Sequence, residues 1–288
     1  MAGWLESAKS RAHAFAGRDA LDWLDKAYIL DWAVAIALHF VAKWIDTMPV
    51  FERVWSLTDP LISFPHANPE RVTGHLNDAI SIWVSIGVFV VFGAVRRSLF
   101  EIHQGVLTAF AARALNDAVT DLMKNRVGRL RPDFLARCAW DLIKQECTGE
   151  PRVVKDGHRS FPSGHSSTAF VGMTLVALVL ASKTGSVCGS APTRIGSRYS
   201  RLVLTLLPFV WSAYVAISRV EDYRHHKEDV LAGSTIGILC AVAVYHIFWP
   251  SPFSRGSFAP DTYGVPRRAS QNEYHEQYEV ANHDLDAV

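Results

Sequence analysis

Residues 159–182 read RSFPSGHSSTAFVGMTLVALVLAS. A basic residue leads through Pro162, Ser163, Gly164 and His165 into Ser166 and Ser167, and then the polarity stops. Positions 169–181 are almost entirely apolar. An apolar run of this kind, roughly 17–25 residues, is long enough to cross the hydrocarbon core of a bilayer as a helix. Its first turn, however, is a cluster of small hydroxyls, a glycine and a histidine. These residues suit a helix N-terminus, where the first N–H groups lack internal partners and the dipole is positive.

Five further blocks of similar length lie outward from this one. Together the six cover roughly residues 28–47, 79–95, 99–121, 166–182, 202–218 and 230–249. The chain has 288 residues, 49% hydrophobic and 20% charged. Blocks in this number leave no amphipathic helices to cover them in water. The expected fold is therefore all-α, an integral membrane bundle of six transmembrane helices. The expected organisation is a cytoplasmic or interfacial N-terminal segment over 1–27, the six-span domain over 28–249, and a largely disordered cytoplasmic tail over 250–288. The tail is rich in Pro, Ser, Tyr, Asn and acidic residues without apolar periodicity. Residues 1–26 carry mixed charge and no apolar signal-peptide core, and no internal repeat of fixed period occurs. A net charge of +1 gives no reason to expect nucleic acid as a partner.

Basic residues set the orientation. Lys9, Arg11, Arg18 and Lys26, then Arg96 and Arg97, then Lys183, Arg194, Arg198 and Arg201, then Arg255, Arg267 and Arg268 fall on one side of a six-span chain. That side, with both termini, is expected to be cytoplasmic. The loop 124–165 breaks the rule, with nine Lys or Arg on the opposite side. Either a long segment crosses regardless of charge, or the loop binds an anion.

Three polar islands sit at span ends on that opposite side: 124–132 (KNRVGRLRP), 162–165 (PSGH) and 218–229 (SRVEDYRHHKED). Lys124 and Arg131 offer a point charge and a planar fork to phosphate oxygens, although cations at span ends also snorkel. Gly164 allows an anion close to the backbone and Ser163 adds a hydroxyl, which fits a helix N-terminal anion cradle as well as a plain N-cap. His165 adds a proton donor. His225 and Asp229 are four residues apart and share a face if a helix starts there. A carboxylate on Nδ1–H would then leave Nε2 with the lone pair of a nucleophile. His226 is the rival, three residues from Asp229, and Arg219 is a third cation. These parts suit phosphoryl transfer without a metal or other cofactor, because no Asp/Glu cluster has metal-ligand spacing.

At these residues the chain resembles the type 2 phosphatidic acid phosphatases, or lipid phosphate phosphatases. The family's signature, Lys-x6-Arg-Pro, Pro-Ser-Gly-His and Ser-Arg-x5-His-x3-Asp, stands here without departure at 124–132, 162–165 and 218–229. The stretch DPLISFPHANPERVTG in the first outer loop (59–74) is most similar to fungal diacylglycerol pyrophosphate phosphatases. The resemblance implies a six-helix core related to that of vanadate-dependent haloperoxidases. It implies His225 as the attacking nucleophile, Asp229 as its orienting group, and His165 as acid and then base. Lys124, Arg131, Ser163, Gly164 and Arg219 would hold the phosphate. Substrates would be phosphatidate, lysophosphatidate or diacylglycerol pyrophosphate, met at a lumenal or extracellular face through a phosphohistidine intermediate. Competing expectations are a head-group or phosphoryl transferase, a sphingoid- or isoprenoid-phosphate phosphatase, an inactive scaffold, and an anion transporter. The scaffold would be expected to have lost the motif residues, and the transporter to spread them along a path.

The third block is weak by hydropathy because Arg113, Asp117 and Asp121 recur every four residues, with Lys124 three further on. Asp121 would orient Lys124 or Arg131, or Arg113 and Asp117 would form a structural pair. Cys138 and Cys147, nine residues apart in the basic loop, could form a disulfide in an oxidising compartment. Organelle, oligomeric state and preferred lipid are not encoded in any feature above.

Overall fold

The computed structural model describes residues 26–188 and 196–254, with isolated positions before and after. The proposed interfacial segment and the tail beyond residue 254 lie largely outside the described residues. The long helices are α1 (Ala27–Thr47), α2 (Gly74–Val95), α3 (Leu99–Val127), α6 (Gly164–Thr184) and α9 (Lys227–Phe248). The fifth apolar block forms two helices, α7 (Arg198–Leu206) and α8 (Phe209–Glu221), which meet at Pro208. Proline has no N–H to continue the helical ladder and its ring clashes with the preceding turn. Two short helices, α4 (Phe134–Cys138) and α5 (Pro151–Gly157), a 3-10 turn at Pro60–Ile62, and a hairpin of two-residue strands, β1 (Trp140–Asp141) with β2 (Glu146–Cys147), complete the order among the described residues.

Among the described residues, five segments are long and apolar enough to cross a membrane: α1, α2, α6, α7 with α8, and α9. The chain is thus a multi-pass membrane protein. α3 corresponds to the weak third block and is not among the five. It runs for 29 residues and buries Glu101, Gln104, Asn116, Thr120 and Asn125 along its length. Its polarity is used inside the bundle, where α1, α2, α6 and α9 pack around it.

α6 is the central helix, with 14 of its 21 residues buried. α1 buries four of 21. The core joins Phe89 of α2, Ala109 and Ala112 of α3, Val171, Leu175 and Val179 of α6, and Ala241, Val244 and Tyr245 of α9. Outward, Ile29, Leu30, Phe40 and Trp44 of α1 and Leu231, Leu239 and Ile247 of α9 are exposed. A belt of that extent is unfavourable in water and favourable against lipid tails.

A small second core caps one end of the bundle. Ile62, Leu130, Phe134 and Cys138 pack with Trp55 and Trp140, and the Trp55 ring meets Phe134 and Trp140 edge-on at 5.2 and 5.1 Å. A Cys138–Cys147 disulfide closes the hairpin within this cap, with Cα atoms 4.7 Å apart. The two alternatives that the sequence left open for this pair are thereby resolved. The cap lies over the end at which the three polar islands meet.

Candidate active site

The first island leaves α3 through Gly128. Its φ of 60° ends the helix in the left-handed conformation, and a Cβ there would lie 1.8 Å from the Phe51 carbonyl oxygen. The chain then turns, so that Lys124 remains on the helix while Arg129 and Arg131 reach across to the third island. Lys124 extends its ammonium to the first turn of α6; a Cβ on Gly164 would meet Nζ at 2.6 Å. Glycine is what allows that approach.

Ser163 is the N-cap of α6. Its hydroxyl accepts from the Ser166 amide at 3.4 Å and from the Ser166 hydroxyl at 3.0 Å. Its own amide donates to the Asp229 carbonyl at 2.9 Å, which ties the PSGH turn to α9. The Gly164 and His165 amides have no i−4 partner, so they remain for a ligand. Nε2 of His165 is buried and has no hydrogen-bond partner among the described residues. The Asn77 side chain holds the His165 carbonyl at 2.9 Å.

His225 lies between α8 and α9 and is 2% exposed. Its Nδ1 donates to the Ser160 carbonyl at 2.7 Å, and its Nε2 faces Arg131 Nη1 at 3.3 Å. A guanidinium can only donate, so Nε2 carries the lone pair. Burial, reinforced by the Arg131 charge, pushes the His225 pKa well below its ordinary value. The ring is therefore neutral at neutral pH.

Asp229 is not the direct partner of His225. Its Oδ2 lies 3.9 Å from His225 Nδ1, too far for a hydrogen bond. α9 begins at Lys227 with His226 as N-cap, so His225 precedes the helix and the four-residue spacing does not place it above Asp229. Asp229 instead receives the His226 amide at 3.0 Å and the Ser160 hydroxyl at 2.5 Å, and pairs with Arg129 at 2.7 Å. Ser160 therefore links the two, carbonyl to His225 and hydroxyl to Asp229. His226 itself is the cap.

The two arginines are strongly held. Arg131 donates to the Asp156 carbonyl and carboxylate, both at 2.9 Å, and to the Arg224 carbonyl at 3.1 Å. Burial would raise the Asp156 pKa, but Arg131 and Arg137 outweigh it and hold this carboxyl well below the usual range. Arg219 donates to Glu70 at 2.7 Å, to Asp222 at 3.2 Å and twice to the Ser218 hydroxyl. A guanidinium has five N–H groups, so each arginine retains donor capacity for an added anion. Lys124 is looser, 3.5 Å from Asp121. Asp121 also meets Arg159 at 3.2 Å, while Arg113 pairs with Asp117 and Asp78. The Arg113–Asp117 pair and an Asp121–Lys124 contact thus coexist on this helix.

All eight residues singled out from the sequence lie at one end of the bundle. Four others were missed: Ser160, Arg129, Asp156 and Glu70. Arg129 and Ser160 stand within or next to the motifs, in positions the spacing leaves blank. Asp156 is an acid amid the nine cations. Glu70 carries no local signal, because its partner is 149 residues away.

The PAP2 superfamily model matches residues 105–252. The chain is 32% identical to "Probable lipid phosphate phosphatase 4" of Arabidopsis thaliana, over 83% of this chain and 78% of that one. It is 32% identical to "Probable diacylglycerol pyrophosphate phosphatase 1" of Schizosaccharomyces pombe, over 76% and 81%, and 31% identical to "Phospholipid phosphatase 1" of Rattus norvegicus, over 67% and 74%. No solved structure matches. The chain belongs to the PAP2 superfamily.

Proposed function

We propose that this protein is a lipid phosphate phosphatase that hydrolyses phosphate from membrane lipid phosphates, with phosphatidate, lysophosphatidate and diacylglycerol pyrophosphate as the substrate class. The observation that carries this reading is the meeting of a neutral imidazole, its Nε2 lone pair turned to Arg131, with Lys124 and the open N-terminus of α6. The relatives named for these activities support it.

In the first step the His225 Nε2 lone pair forms a bond to phosphorus. The bond from phosphorus to the leaving oxygen breaks with its electron pair, and that oxygen takes a proton from His165. Lys124, Arg131, Arg219, Ser163 and the Gly164 and His165 amides bear the charge on the three remaining oxygens. These donors supply the positive potential that a divalent cation would otherwise provide. In the second step water attacks the phosphohistidine, His165 accepts its proton, and phosphate leaves as His225 regains its lone pair. Asp229 acts as a positioning residue through Ser160.

The remaining features of this reading are six spans, with α3 as the sixth inside a ring of the other five, a core related to the vanadate-dependent haloperoxidases, termini in the cytoplasm and a lumenal or extracellular site. The test is phosphate release by purified protein from a panel of lipid phosphates in EDTA, comparing wild type with His225→Ala. Activity lost in EDTA overturns the metal-free mechanism, and activity kept by the variant overturns the nucleophile. Release of a phosphorylated or exchanged lipid with an added alcohol acceptor would indicate a transferase instead.

A further inference from the structure

The segment 61–71, between α1 and α2, lies across the first and third islands. The Phe64 amide donates to the Pro132 carbonyl at 3.0 Å, and the Phe64 ring stacks on Tyr223 with centroids 4.7 Å apart. His66 Nδ1 lies 2.6 Å from the Asp133 carboxylate, and Arg224 donates to the Ala67 carbonyl at 2.8 Å. These contacts fix the backbone just ahead of Glu70 and Arg71, which the segment delivers to Arg219.

Arg219 stands in the last turn of α8 and is 1% exposed. The Ser218 hydroxyl accepts from its Nε at 3.2 Å and from its Nη2 at 3.1 Å, and Asp222 accepts from Nη2 at 3.2 Å. These partners are local in the chain and lie along one edge of the guanidinium. Nη1 donates to Glu70 at 2.7 Å and to no other group among the described residues. Asp222 is itself shared, because it pairs with the Arg71 side chain and accepts from the Arg71 amide at 2.9 Å. Glu70, Arg219, Asp222 and Arg71 thus close a ring of alternating charge, joined by the peptide bond between residues 70 and 71. A planar fork held along one edge still pivots, and a second, charged contact on the other edge fixes its plane. The Arg219 carbonyl accepts from the His225 amide at 3.3 Å, so the residue fixed in this way also supports the turn that carries His225.

We infer that Glu70 is a positioning residue for phosphoryl transfer: it sets the Arg219 guanidinium in the orientation that meets an oxygen of the transferring group. The inference rests on the reading proposed above. Compensation of the Arg219 charge is already supplied by the buried Asp222. Glu70, with its side chain 25% exposed, adds a constraint on the opposite edge. Donors stabilise a transition state most when no reorganisation is left to be done as the reaction proceeds. Glu70 itself makes no bond to the substrate and moves no proton.

The test uses full-length protein in mixed micelles with a lipid monophosphate, for wild type, Glu70→Gln, Glu70→Asp, Arg219→Met and the double variant Glu70→Gln/Arg219→Met. The expected result for Glu70→Gln is a fall in kcat/KM of about ten- to thirtyfold, as for loss of one hydrogen bond between charged groups. Glu70→Asp, which keeps the charge, recovers part of that loss. In the Arg219→Met background Glu70→Gln changes kcat/KM by no more than about twofold, because no guanidinium is left to orient. A merely structural role lowers the active fraction in both backgrounds alike, so a loss repeated in the Arg219→Met background overturns the inference. So does a Glu70→Gln enzyme as active as wild type or more active, the outcome of a carboxylate that competes with phosphate for Arg219. Should Arg219→Met fail to fold, the two Glu70 variants decide, and a Glu70→Asp enzyme no better than Glu70→Gln overturns it. Each of these outcomes leaves the phosphatase reading intact. A wild type inactive on lipid phosphates overturns that reading itself.

Discussion

The same two helices, α3 and α6, carry buried charge at both ends, and the two ends are built differently. At one end Glu101, 2% exposed, lies between Arg96 at 2.8 Å and Lys183 at 3.2 Å, so that each carboxylate oxygen faces a cation. At the other, Lys124 is 3.5 Å from Asp121, and the buried His165 Nε2 has no hydrogen-bond partner among the described residues. The first end is saturated and the second is held half-open by surrounding pairs. Buried ions alone do not mark a site. A cluster whose donors exceed its acceptors does, because leaving buried donors unmet costs free energy that an incoming anion recovers.

If that contrast is functional, substitutions at the two ends separate activity from stability. The largest effect is expected for His225→Ala: a fall in kcat/KM of about a thousandfold or more, as for loss of a nucleophile, with thermal unfolding in detergent close to wild type. Lys124→Met comes next, at about 10²–10³-fold, the scale of one oxyanion donor, measured as phosphate release from a lipid phosphate. At the saturated end, Glu101→Gln strands two cations. Breaking a buried pair costs about 3–5 kcal/mol, so the unfolding midpoint should drop while kcat/KM stays within a fewfold of wild type. A Glu101→Gln enzyme with normal stability and poor catalysis would erase the distinction between the ends.

Two smaller effects sharpen the open end. His225 is held neutral with a depressed pKa. As pH falls through the ordinary histidine value of about 6.5, the unfolded chain therefore binds a proton that the folded chain does not. Stability is then greatest above that value and declines with acidification, and His225→Asn should flatten the profile between about pH 5 and 7. Ser160→Ala keeps the backbone carbonyl on His225 but removes the hydroxyl link to Asp229. A loss of only about tenfold is expected, the worth of one hydrogen bond to a charged group, with the acidic limb of the kcat/KM profile displaced. Equal losses in Ser160→Ala and Asp229→Asn, with no further loss in the double variant, would confirm that the two act as one unit.

Much of the fold was legible in the chain. Bilayer thickness fixes the length of a span, so the apolar blocks at 166–182 and 230–249 anticipated α6 (Gly164–Thr184) and α9 (Lys227–Phe248) closely. The motifs were legible because each is short and local. α3 was harder: its polar residues lower its hydropathy, yet they donate hydrogen bonds to neighbours inside the bundle, as with Asn116 and Thr120 on the Ser167 hydroxyl. The break at Pro208 was carried by one residue inside a block that otherwise reads as continuous.

By itself, then, the sequence determined which segments are long and apolar enough to meet lipid, where the three motifs stand, and which histidine carries the expected spacing, because these follow from length, composition and local order. Only the tertiary structure decided how the His225 ring is aimed. A difference of two residues in where α9 begins turns Asp229 from a partner of His225 into a cap for His226, and hands Nδ1 to the Ser160 carbonyl, 65 residues away. Helix starts and long-range carbonyl contacts are set by packing between elements, and local spacing does not encode them.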